Sequence, residues 1–118
     1  MTPVSASEFA SALMKIGRPD NERHLQFLQA HYNAPGHAST ATKLAAAAGY
    51  KNHGAVNLSY GKLAGRIRVA LNPKPRRPHT LLSLLVDFAA PTTITNRHYV
   101  LVMKTEFAEA LKQAKWVQ

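Results

Sequence analysis

The chain has 118 residues, of which 46% are hydrophobic, so it fits one compact domain with a core and is not expected to be disordered throughout. Fifteen Lys and Arg stand against six Asp and Glu, which gives a formal net charge of +9 and makes a polyanion such as nucleic acid the expected partner. The absence of cysteine excludes disulfides, thiolate metal sites and cysteine nucleophiles, and no apolar run approaches the roughly 20 residues that span a membrane.

The N-terminal residues do not indicate a secretory signal. Met1 to Ser5 contain no basic stretch followed by an apolar segment, which a secretory signal requires. The chain has no charged amphipathic stripe with bulky aromatic residues either, so binding to a membrane surface is not predicted. We therefore expect a cytoplasmic protein.

Two helices are predicted in the first third of the chain. Ser5 to Glu8 has the capping-box pattern of a helix start, and this helix is expected to stop near Gly17. A second helix is expected to start around Pro19 and Asp20 and to end at the breaker sequence 33–36. The residues predicted to point inward from these helices are Phe9, Leu13, Ile16, Leu25, Leu28 and Tyr32.

A short helix and a longer helix are predicted next, joined by a polar turn. Ser39 or Thr40 is the candidate N-cap of the short helix, and Gly49 stands where it would end. Asn52 or His53 then begins a helix that runs to about residue 71. Its predicted buried stripe is Val56, Tyr60, Leu63, Ile67 and Leu71.

The last third predicts an extended connector, a hairpin and a final helix. Residues 72–79 contain three prolines, which prevent a helix. The runs 81–88 and 98–103 are rich in strand formers and flank the polar residues 91–97, which indicates a β-hairpin. Thr105 is the expected N-cap of a last helix. The residues of this helix and its tail expected on the core are Phe107, Ala110, Leu111, Ala114, Trp116 and Val117.

The order of helix, polar turn, longer helix, basic connector and hairpin resembles that of a winged helix-turn-helix. The segment from Thr40 to Ile67 resembles the core of that family. The resemblance implies one α+β domain, mainly α, divided into a helical part (5–71), a connector (72–79) and a part with the hairpin and last helix (80–118). The turn is longer and more polar than in the commonest helix-turn-helix pattern, and the run of four alanines makes the first helix of the pair thin.

The resemblance also implies binding to duplex DNA. In such proteins the first helix of the pair crosses the DNA backbone, the second enters the major groove by its N-terminal end, and the hairpin lies along flanking phosphates. Thr40, Thr42 and Lys43 correspond to the backbone-contacting positions. The positions that correspond to the groove-reading end of the second helix are Lys51, Asn52, His53, Asn57 and Ser59.

A basic run strengthens the expectation of phosphate contacts. Six basic residues and no acidic residue lie between positions 62 and 77, so this stretch is able to neutralise several phosphates. The alternative is a solvated linker whose charge serves only solubility. The phosphate-contacting candidates of the run are Lys62, Arg66, Arg68, Lys74, Arg76 and Arg77, to which we add Arg97 in the predicted hairpin tip.

The stretch from Gly49 to Leu63 is similar to modules attached to bacterial HNH restriction endonucleases. That similarity implies a target-reading role in a restriction or defence system, with a homodimer or a fused nuclease as further possible partners; a small regulator is the alternative. Asn96 to His98 superficially resemble the HNH nuclease site itself. The helix that follows offers only Glu106, Glu109, Lys112 and Gln113 where that site needs a metal ligand.

No enzyme, metal site or cofactor is predicted. The six histidines show no ligand pair at short spacing with a third ligand nearby, so we expect them to be scattered and exposed. Two other functions stay open: a protein-interaction domain on the same fold, and RNA binding, for which Tyr99 is the available aromatic residue. Gly61 and Gly65 either admit close approach of a partner or relieve internal packing.

The connector yields a first prediction. Replacing Arg76 and Arg77 by alanine should weaken binding to all duplex sequences about equally, because phosphate contacts position a protein without reading bases. Thermal stability should barely move, since exposed residues between prolines contribute little packing. Affinities of the double variant for several unrelated duplexes measure this, and a loss confined to one sequence would show that these arginines read a groove.

Overall fold

The computed structural model describes residues 4–71, 75, 81–89 and 100–118. This part of the chain is mainly helical with a small antiparallel sheet, which confirms the predicted α+β class. None of its helices is long and apolar enough to cross a membrane. The helices are α1 (Ala6–Ile16), α2 (Glu22–Asn33), α3 (Ala41–Ala48), α4 (His53–Ala70) and α5 (Thr105–Gln113); the strands are β1 (Ala38–Thr40), β2 (Val86–Ala89) and β3 (Val100–Met103); 3₁₀ helices occupy Pro35–His37 and Leu81–Leu84.

Local capping bonds set the helix boundaries that the sequence predicted. The hydroxyl of Ser5 accepts from the amide of Glu8 at 3.2 Å, and the Glu8 carboxylate accepts from the amide of Ser5 at 3.0 Å, so the capping box is formed. Helix α2 begins slightly later than predicted, because the side chain of Asn21 accepts from the Arg23 amide at 3.0 Å and caps it.

The helix pair α3 and α4 also begins and ends at its predicted signals. The Thr40 hydroxyl accepts from the Lys43 amide at 3.2 Å, and Gly49 ends α3 in the left-handed conformation with φ of 76°. The side-chain oxygen of Asn52 then accepts from the Ala55 amide at 3.3 Å. Gly49 and the Asn52 cap therefore define the turn between the helices.

The sheet has the order β1-β3-β2, and both pairings are antiparallel. Strand β1 was not predicted. It pairs with β3 in a register that places Ser39 opposite Leu101, and it ends where α3 begins. The described ends of the predicted hairpin are thereby attached to the start of the helix pair; its predicted tip lies outside the described residues.

Two local predictions in the last third were wrong. Residues 81–84 form a 3₁₀ helix rather than a strand; the amide of Leu85 donates to the Leu82 carbonyl at 3.0 Å, so the chain turns before β2 begins. Thr105 is the first residue of α5 and not its cap. Lys104 precedes it in extended conformation without a side-chain cap, and its amide donates to the Leu85 carbonyl at 2.9 Å.

The core lies between the helices and one face of the sheet. Phe9 and Phe107 join α1 to α5 with ring centroids 5.8 Å apart, and Phe27 and Tyr60 join α2 to α4 at 5.0 Å. Trp116 is buried against this core as predicted, and so is the residue after it. The predicted inward residues that are only partly buried are Ile16, Leu25, Tyr32, Leu63 and Ala114.

The buried stripe of α4 contains Val56, Tyr60, Ile67 and Leu71 as predicted and differs from the prediction at one position. Ala64 is fully buried, and Leu63 is partly exposed at the edge of the stripe. The steps of four and three predicted Leu63 as the core residue, but Ala64 is the residue that the fold buries fully. A Cβ atom built at the neighbouring Gly65 would lie 3.5 Å from Leu81 of the 3₁₀ helix, which is an ordinary van der Waals contact.

His31 is fully buried, which corrects the expectation that the histidines are exposed. Its Nδ1 lies 2.9 Å from the Tyr60 hydroxyl and its Nε2 lies 2.8 Å from the Leu101 carbonyl oxygen. Because a carbonyl only accepts, Nε2 carries the proton and Nδ1 accepts from Tyr60. Burial lowers the pKa of His31 and raises that of Tyr60 well above its usual value, so both side chains stay neutral.

This buried histidine predicts a pH-dependent stability. The unfolded chain binds a proton at His31 near the usual histidine pKa of 6.5, whereas the folded ring, with its lowered pKa, resists protonation. The stabilisation is present above that value and is lost as the pH falls towards the folded pKa. Urea denaturation from about pH 7.5 to about pH 5.5 should show a falling free energy of unfolding. His24, whose pKa is also lowered, acts in the same direction.

The matched variant is His31→Gln, whose amide can donate to a carbonyl but does not titrate. It should be less stable than the parent by about 1–3 kcal/mol near neutral pH, because the Tyr60 hydroxyl loses its acceptor. The stability of His31→Gln should also depend less on pH than that of the parent does. Equal pH dependence in the parent and His31→Gln would contradict the assignment.

Candidate nucleic-acid interface

The N-terminal turn of α4 presents an exposed polar surface. Lys51, Asn52 and His53 are exposed where the turn enters the helix, and Asn57 is exposed one turn further along. Positions three and four apart are neighbours on a helix, so Asn57 continues the surface begun by His53 and Gly54. The structure therefore brings four of the five predicted base-reading residues together.

Asn52 also has a structural role. Its side-chain oxygen is used in capping α4, so only its amide group is placed to donate to a ligand. Thr40 is in the same position on α3: its hydroxyl caps that helix and its side chain is partly buried. Thr42 and Lys43, in the first turn of α3, are exposed and lie at the helix end where amide groups point outward.

The exposed face of α4 holds a residue that sequence reasoning missed. Leu58 is 61% exposed, next to Asn57 and on the side away from the buried stripe. Gly61 lies one turn beyond, and a Cβ atom built there would meet nothing within 4 Å. Gly61 thus leaves open space beside Leu58, whereas Gly65 faces Leu81 at an ordinary contact distance. The only sequence signal for Leu58 was its position out of phase with the apolar stripe.

Ser59 is separated from the other predicted base-reading residues. At about 100° per residue it lies roughly 200° around the helix axis from Asn57. It lines a crevice with His24, Lys62 and Arg66, at the point where α4 meets the connection between α1 and α2. His24 was not predicted as a site residue, because it comes from another helix and stands alone in its own segment.

The predicted phosphate-contacting residues of the basic run do not lie on one surface of α4. Lys62 and Arg66 are exposed, four positions apart on the same face of α4. Arg68 lies on the other flank, partly buried, and its Nε donates to the Pro75 carbonyl at 3.1 Å, so this basic group is already used within the protein. The remaining predicted contacts, Lys74, Arg76, Arg77 and Arg97, lie outside the described residues.

The described residues contain no group of three His, Asp or Glu side chains that could hold a metal ion. The donors that are brought together are amides, hydroxyls, an imidazole and cationic groups, which suit anionic or base-edge partners. No protein-family model, curated protein or solved structure matches the chain.

The geometry predicts unequal stability effects for the two asparagines of this surface. Asn52→Ala removes the N-cap of α4 and should lower the free energy of unfolding by about 1 kcal/mol. Asn57→Ala, at an exposed position, should change it by less than about 0.5 kcal/mol. Asn52→Ser, which restores a capping oxygen, should recover most of the loss. Urea denaturation measures all three, and equal effects at the two asparagines would contradict the capping assignment.

Proposed function

We propose that the chain binds duplex DNA through α4, in the manner of a winged helix-turn-helix. One observation carries the proposal: Asn57 and its neighbours are exposed at the N-terminal end of α4, while Val56 and Tyr60 of the same turns are fully buried and fix the helix on the core. A helix entering the major groove contacts bases with this end. In the major groove an Asn side chain can form two hydrogen bonds with adenine, and a Lys side chain can donate hydrogen bonds to guanine.

The surroundings of α4 support the same orientation. Helix α3 lies beside it with Thr42 and Lys43 exposed in its first turn, where a DNA strand crossing the pair would pass. Strand β1 connects the start of α3 to β3, so the hairpin strands are held beside the helix pair. The basic face with Lys62 and Arg66 lies on the flank of α4 opposite Asn57 and suits flanking phosphates.

We further propose that the protein reads a DNA target without catalysing a reaction, as a module of a restriction or defence system or as a small regulator. The resemblance of the stretch from Gly49 to Leu63 to modules attached to bacterial HNH restriction endonucleases motivates the first role. A second candidate function is protein binding on the same fold. It is favoured by Leu58 and Val69, which are 61% and 70% exposed on the outer face of α4.

Salt dependence separates the two functions. Binding to a mixed-sequence duplex should weaken linearly on a log–log plot against salt, with a slope of about −4 to −5 if about five phosphates are neutralised. A protein partner held through Leu58 and Val69 would show no such steep slope. Fluorescence anisotropy of a labelled duplex measures it, and no binding at low salt would end the DNA proposal.

Asn57→Ala tests where bases are read. On duplexes selected by the parent from a random pool, this variant should lose about 1–3 kcal/mol of preference at one base pair. Asn33→Ala, an exposed asparagine at the end of α2, is the matched control and should keep the parental preference. If Asn57→Ala retains every preference, α4 is not the reading element.

A further inference from the structure

A small crevice lies where α4 meets the connection between α1 and α2. It has a volume of about 90 Å³, and its apolar wall includes Leu63 and the buried Trp116. A single water needs about 10–15 Å³ of such space, so the crevice has room for a tetrahedral oxyanion. Its polar lining is His24, Ser59, Lys62 and Arg66.

The polar lining of the crevice consists of groups that can donate hydrogen bonds. Ser59 supplies a hydroxyl, His24 an imidazole, and Lys62 and Arg66 two permanent positive charges, while none of the described carboxylates lines the space. Burial and then the charges of Arg66 and Lys62 lower the pKa of His24. The imidazole ring therefore lies in a net positive electrostatic potential, and a bound anion would reduce that potential.

We propose that this crevice binds one phosphate group, held by Ser59, Lys62 and Arg66 with His24 as a fourth donor. Guanidinium and ammonium groups beside a hydroxyl are a donor set that suits a phosphate, because charge-assisted hydrogen bonds are stronger than neutral ones. The proposed site extends the basic face formed by Lys62 and Arg66, because it adds His24 from a different helix. It also gives Ser59 a role on the flank of α4 opposite Asn57.

The phosphate is assigned to the DNA backbone, and this part of the inference rests on the proposed function. Ser59 lies six residues into α4, about 9 Å along its axis. The major groove is about 12 Å wide, so a helix that enters it by its N-terminal end meets the bordering phosphates at this depth. Free inorganic phosphate is the alternative ligand, because it presents the same group to the crevice.

The first experiment follows His24 by NMR in the full chain. Adding inorganic phosphate in place of chloride, at equal ionic strength, should raise the pKa of His24 by an amount of the order of one unit, because the bound anion favours the imidazolium. The ring signals of His37, which is not among the residues lining the crevice, serve as the internal reference and should keep their chemical shifts at constant pH. Arg66→Gln should abolish the shift, and an unchanged His24 in the parent would overturn the phosphate site.

The second experiment uses a mixed-sequence duplex. Ser59→Ala should weaken binding roughly tenfold on every sequence, as loss of a hydrogen bond to a charged group would. Ser11→Ala, an exposed serine in α1, is the matched control and should bind as the parent does. Parental affinity of Ser59→Ala together with a shifted His24 would overturn the backbone assignment and point to free phosphate.

The two proposals fail separately. If the parent does not bind duplex DNA, the proposed function fails, and the phosphate titration of His24 still shows whether the crevice binds phosphate. If the parent binds duplex DNA but neither His24 nor the Ser59→Ala affinity responds, the crevice holds no phosphate and DNA binding through α4 stands.

Discussion

The arrangement of this protein depends on the two hydrogen bonds of His31. One reaches the Tyr60 hydroxyl on α4 and the other reaches the Leu101 carbonyl on β3, at 2.9 and 2.8 Å. The ring is fully buried, so neither partner can turn to water if the elements shift. Helix α2 thereby fixes both the rotation of α4 about its axis and the position of the central strand. That rotation is what leaves Asn57 and Leu58 exposed.

The sheet extends this constraint to the rest of the candidate interface. Strand β3 is central, held by His31 on its Leu101 carbonyl and paired with β1 and β2 on its two edges. Because β1 ends at the residue that caps α3, the hairpin strands and the helix pair have one common anchor at Thr40. A rigid scaffold under an exposed helix end is what precise recognition requires.

Helix geometry distributes the charges of the basic run. Lys62, Arg66 and Arg68 are close in sequence, yet Arg68 holds the Pro75 carbonyl on one flank while the other two adjoin the crevice with His24. Basic residues that are adjacent in the sequence therefore have different structural roles. The same geometry places Ser59 and Asn57, two positions apart, on opposite flanks of α4.

The sequence by itself determined the helices, because their signals are local. The caps Ser5, Thr40 and Asn52 bond to amides three residues away, and Gly49 ends α3 through its own backbone freedom. It also indicated the exposed end of α4 from polar residues in one turn. Tertiary structure alone decided the strand β1, the burial of His31 and the crevice that joins His24 to Ser59. Each of these depends on contacts between distant segments, such as His31 with Leu101, 70 positions apart, and the spacing of residues within one segment does not encode such contacts.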